Sequence, residues 1–155
     1  MTNDNEQRAR RYPHRWIFVV VEAVVALGGA AGAVQLATGT FTPPVADLEP
    51  LGLTNWALPG LWLLASVAVP SAVAAILAWR RSARAPAAVL VSSGLLALEL
   101  LVQIPFIGPS TLQAVFGTVA IAMAALAVHA RSSGRWVGSV TTGSEGMAVG
   151  LGRSA

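Results

Sequence analysis

Two glutamates, Glu22 and Glu99, are the only ionisable side chains well inside the long apolar stretches of this sequence. An acid near the centre of a bilayer costs about 2.5–3.5 kcal/mol on insertion scales, which makes it a functional candidate by default. Glu22 follows Trp16 by six residues, about 9 Å inward from one edge at 1.5 Å per helical residue. Glu99 precedes Ile107 by eight residues, about 12 Å from the opposite edge, and is the deeper of the two. Neither has a lysine or arginine at its own depth. Three arrangements satisfy Glu99: protonation, neutral hydrogen-bond donors, or contact with water. Gln103 lies at i+4 on the same helical face and can donate to it. Gln35 and Gln113 fall toward the same leaflet. The four together would line a small polar pocket, a candidate proton or ligand site. The competing reading is a Glu–Gln pair that only fastens helices, through membrane hydrogen bonds averaging about 0.6 kcal/mol. Glu22, nearer its edge, is expected to reach water or Arg80 and to be structural.

Other chemistry is missing. His129 sits at the inner end of the fourth span and His14 in the basic N-terminal segment; neither is at haem-ligating depth and no second histidine lies in any span, so no haem or metal is expected. The absence of cysteine excludes disulfides and thiolate sites. No Ser/His/Asp set, phosphate-cradling loop or zinc spacing is visible. The sequence therefore predicts no catalytic residue and no cofactor, and it reads as non-enzymatic.

The elements that hold these residues follow from charge. Of 155 residues, 55% are hydrophobic and 11% charged, with a mean hydropathy of +0.66. Soluble domains carry about 25% charge, so this chain belongs in a membrane. All ten basic residues are arginine, the bias of a GC-rich bacterial genome. They cluster at 8–15, 80–84 and 131–135, with Arg153 alone beyond. A spanning helix needs about 20 apolar residues, so each intervening stretch holds two. The expectation is an all-α four-helix transmembrane bundle with spans at about 16–38, 55–79, 86–107 and 110–130. An outer loop, 39–54, joins the first two. The 1–15 segment is basic, and the Gly, Ser and Thr-rich 131–155 tail is expected to be disordered. Every arginine cluster falls on one side, so the positive-inside rule puts both termini in the cytoplasm of a bacterial plasma membrane. Trp16, Trp56 and Trp79 mark span ends, where indoles favour headgroups. The basic N-terminal segment is a topology signal with attraction to anionic lipids, and no nucleic acid is implied.

Local signals refine this. Gly28 and Gly32 form a G-x-x-x-G pair, and Gly29 with Ala33 extends the small face. It serves either dimerisation or packing within the bundle, with Gly117, Ala120, Ala124 and Ala127 of the fourth span as a natural complement. Ala31-Gly32-Ala33 also resembles a signal-peptidase site, but Glu22 and the apolar run to Ala37 argue for a retained span. Pro70 should kink the second span, with Ser66 and Ser71 near the freed carbonyl. Ser110 and Gln113 have capping-box spacing. Val45, Leu48, Leu51 and Leu53 suit an outer loop lying along the membrane surface.

The glycine-rich first span, Leu58-Pro59-Gly60-Leu61, Glu99-Leu100-Leu101-Val102-Gln103 and Leu112-Gln113 resemble a family of small, uncharacterised four-span bacterial membrane proteins, over roughly residues 24–128. The resemblance implies a four-helix fold and no particular activity. Glu22 alone is similar to the first-span acid of small multidrug resistance transporters, whose site aromatics are mostly absent here. The leading expectation is a non-enzymatic accessory or interaction protein, with a membrane protein or a second copy of the chain as partner. The alternative is a small proton-linked transporter or lipophilic-ligand binder using Glu99 and Gln103.

Overall fold

The computed structural model describes residues 14–40 and 42–133; the basic segment before His14 and the tail after Ser133 lie outside them. The described residues form four long helices and no strand. These are α1 (Arg15–Thr38), α2 (Ala57–Trp79), α3 (Ala85–Ile107) and α4 (Thr111–Ser132). All four are long and apolar enough to cross a membrane. At most 28% of the most apolar stretch of any helix is buried inside the bundle. Val24, Leu27, Leu61, Leu101 and Ile121 instead face outward, an arrangement that water would not tolerate and hydrocarbon does. This is an integral membrane protein.

Each helix packs chiefly on its neighbour in sequence, α1 on α2, α2 on α3 and α3 on α4. The up-and-down course gathers the described arginines at one end. There the Arg15 guanidinium donates to the Trp79 carbonyl at 3.0 Å and lies over the Trp16 ring. Trp16 and Trp79 meet edge to face at 5.4 Å, and His14 approaches the His129 ring at 6.3 Å, which brings α4 back to α1. Phe18, Ala74, Val89, Met123 and Ala127 fill this end of the core. A layer of Val25, Val67, Leu96 and Ala120 lies above them.

The small residues of α1 are used against α2. A side-chain carbon at Gly29 would lie 3.3 Å from Ala68, and one at Gly32 would lie 3.1 Å from Leu63. From the other side, a carbon at Gly60 would sit 2.9 Å from the Ala33 carbonyl oxygen. Gly28 points into open space. The small face thus runs through Gly29, Gly32 and Ala33 rather than Gly28, and its complement is α2. Gly117 of α4 comes near Leu100 of α3 instead.

Pro70 does interrupt α2, by widening it. Leu64–Ala68 forms a π-helical turn, and the Val69 amide reaches back to Leu64. The extra residue accommodates the proline ring and its missing donor. Ser66 does not serve the freed carbonyl: its hydroxyl lies 2.8 Å from the Trp62 carbonyl and 3.2 Å from Glu99.

The proline-rich end is roofed. Val45–Leu51 is a 3₁₀ segment that buries Leu48 and packs on α3. Trp56, expected among headgroups, is 8% exposed, because its indole donates to the Pro43 carbonyl at 2.9 Å. Gly39 ends α1 in the left-handed region (φ 73°), and the next amide, Thr40, closes on Gln35. Ser110 and Gln113 form a complete capping box at the start of α4.

Candidate functional site

Glu99 lies on α3 about two helical turns short of the proline-rich end and is 8% exposed. Three side chains donate to it. The Trp62 indole reaches Oε2 at 2.7 Å, the Ser66 hydroxyl reaches the same oxygen at 3.2 Å, and the Gln103 amide reaches Oε1 at 3.2 Å. Two i, i+4 pairs therefore face each other, Trp62–Ser66 on α2 and Glu99–Gln103 on α3. Helical spacing puts each pair on one face, and the π turn sets the rotation of the half of α2 that carries Trp62. Of the three expected arrangements for Glu99, neutral donors are the one seen.

Beside this carboxyl is a cavity of about 630 Å³. Leu36 of α1, Leu48, Leu51 and Leu53 of the roof, Leu61 and Trp62 of α2, and Val102 of α3 are among its walls. Glu99 and Gln103 form its polar end, and Glu99 is the one ionisable side chain among the described lining residues. Leu58, Leu61, Trp62 and Val102 are each about half exposed, so the cavity opens sideways between α2 and α3.

The other expected members lie elsewhere. Gln35 is exposed on α1, turned away by the packing of Gly29 and Gly32 on α2. Gln113 is occupied at the α4 cap, its side chain accepting from the Ser110 amide at 2.9 Å. Trp62 and Ser66 were not among the expected site residues. Their only trace in the sequence is an indole inside a span rather than at its end, four residues before a serine.

Glu22 is more deeply enclosed than its distance from Trp16 predicts. It is 3% exposed and does not extend to Arg80: the Ser92 hydroxyl of α3 donates to its Oε1 at 2.7 Å, and Ser71 of α2 is a second hydrogen-bonding neighbour. Glu22 follows the start of α1 by seven residues and Ser92 follows the start of α3 by seven, so both lie about 10 Å from the arginine-bearing end. Rotation of α1 decides the partner. Val25, Val67, Leu96 and Ala120 separate this cluster from Glu99. Among the described residues, no group of three or more His, Asp or Glu side chains could hold a metal ion.

Compared with family models, characterised proteins and solved structures, the chain matches none. The fold and the two sites therefore define the class on their own: a four-helix integral membrane protein with one carboxyl at a lateral apolar cavity and another in the bundle interior.

Proposed function

We propose that this membrane protein is a non-enzymatic binder of lipophilic molecules that carry a cationic or hydrogen-bond-donating group. The observation that carries the reading is the cavity of about 630 Å³ ending on Glu99. Its volume lies within the roughly 300–1,000 Å³ of ligand pockets, which pair apolar walls with a few placed polar groups. An ionised carboxyl offers about four acceptor positions. Trp62 and Gln103 use two, and the Ser66 hydroxyl, shared with the Trp62 carbonyl, takes at most a third, leaving capacity for a ligand's donor. An anionic head would meet the Glu99 carboxyl with no cation among the described lining residues to offset it. The cavity's lining includes no histidine, which favours binding over hydrolysis. The apolar layer between Glu99 and Glu22 favours binding over proton-linked carriage. An accessory role toward other membrane components, and residence in a bacterial plasma membrane with both termini inside, belong to the same proposal.

The test uses the purified chain in nanodiscs with three twelve-carbon probes: dodecylamine, dodecanol and dodecanoate. Thermal unfolding and native mass spectrometry should show dodecylamine bound most tightly and dodecanoate least. At 100 times its Kd a ligand stabilises by about 2.7 kcal/mol. Glu99→Gln should erase the preference for amine over alcohol. Equal binding of dodecanoate and dodecylamine by the unaltered protein would refute the proposal.

A further inference from the structure

The interior cluster on Glu22 has features that hydrogen bonding within the bundle leaves unexplained. Three serines surround one carboxyl: Ser71 from α2, and Ser92 and Ser93 from α3, each under 5% exposed. They border a void of about 10 Å³ available to the centre of a water-sized molecule. The Ser93 hydroxyl is buried and has no hydrogen-bond partner at all. A buried hydroxyl left unpaired costs about 1–3 kcal/mol. Natural interiors seldom keep such a group without an ordered water, an ion or a function. The remaining walls, including Val21, Leu96 and Met123, are apolar.

We infer that Glu22, Ser71, Ser92 and Ser93 form a binding site for one sodium ion. The polar donor set is all oxygen, which suits hard cations; the described lining has no cysteine or histidine, and its one sulfur is the Met123 thioether. A single carboxyl neutralises a single positive charge. A divalent ion would leave a net charge inside an apolar core and would lack the several carboxylates calcium uses. The void is close to the minimum of roughly 10–15 Å³ that holds one water, so it suits a single small ion stripped of its hydration shell.

The serines can present lone pairs to an ion without moving the backbone. Ser92 donates to Glu22 at 2.7 Å, yet the Val89 carbonyl lies 3.0 Å from the same hydroxyl. One hydroxyl hydrogen serves one of these at a time. Turned to Val89, it exposes the Ser92 oxygen to the void and frees a lone pair on Glu22. Ser93 has no bond to give up. The bound ion would then join α1, α2 and α3 at one depth, where each otherwise contributes only neutral contacts. This site is independent of the Glu99 cavity, and either can stand without the other.

Cation identity is the readout. The purified chain in mild detergent is unfolded thermally in sodium, potassium and choline chloride at equal ionic strength. Sodium should raise the midpoint saturably, and potassium and choline should leave it at the baseline set by ionic strength alone. Ser93→Ala should weaken the apparent sodium affinity at least tenfold while leaving helicity intact, and Glu22→Gln should abolish the sodium response. If Glu22→Gln does not fold, Ser93→Ala decides. Equal midpoints in the three salts for the unaltered chain would overturn the inference and leave the void to a water molecule. Full sodium affinity in Ser93→Ala would overturn it as well.

Discussion

Replacing Gly60 by alanine tests the α1–α2 contact on which the cavity wall depends. The new carbon would stand 2.9 Å from the Ala33 carbonyl oxygen and 3.1 Å from the Leu36 side chain. The first neighbour is backbone and cannot rotate aside, so the helices must separate or slide. Overpacking of this kind costs about 1–3 kcal/mol. Alanine also favours a helix over glycine by up to about 1 kcal/mol, which would mask part of that cost. Gly28→Ala removes the ambiguity, because position 28 meets nothing within 4 Å and gains the propensity alone. The difference between the variants isolates the packing term, so Gly60→Ala should be the less stable by about 1–3 kcal/mol. Reversible unfolding of both proteins in mixed micelles, followed by circular dichroism against detergent composition, measures it. Equal stability would mean that α1 and α2 do not approach as closely as described, and the position of Leu36 in the cavity wall would fall with that contact.

Trp62→Phe keeps the ring but removes the donor to Glu99. It should destabilise by about 0.6–1.7 kcal/mol, from the average to the maximum measured for hydrogen bonds between membrane helices, and the same unfolding assay reads it. Ser110→Ala breaks the capping box of α4 and should cost about 0.5–2 kcal/mol, with faster amide exchange confined to the first turn of that helix. The sequence contains no cysteine, so single cysteines report topology directly. In intact cells a membrane-impermeant maleimide should label Glu49→Cys and spare Ala83→Cys; labelling of both, or the reverse pattern, would contradict the orientation drawn from the arginines.

The four helices were legible because their signals are one-dimensional: apolar runs of the right length, punctuated by arginine. Glu99 and Gln103 were legible as a pair for the same reason, since i, i+4 spacing needs only one helix. Contacts between helices depend on rotation about each axis, which sequence spacing does not supply. Glu22 shows this well. Its depth followed from counting residues, yet its partners are Ser92 and Ser71 rather than Arg80, because α1 turns that face inward. Gln35 shows the converse, sharing a helix with Glu22 but pointing outward. Trp62 and Ser66 are not legible as Glu99 partners because the sequence places Ser66 at a Pro70 kink, whereas the helix accommodates the proline with a wide turn.

That irregularity ties the two carboxyl sites together. Ser66 and Ser71 are five residues apart and would diverge by about 140° on an unbroken α-helix of 3.6 residues per turn. Because the wide turn at Leu64–Ala68, which contains Ser66, changes that offset, both face the interior, one against Glu99 and the other beside Glu22. Removing one residue from this joint would restore a regular screw and swing one half of α2 by about 100° relative to the other. One serine would then be carried out to the lipid, whichever half stayed in place. A single-residue indel here thus acts as a phase shift, and the chain tolerates change in either pocket only while the offset between them is kept.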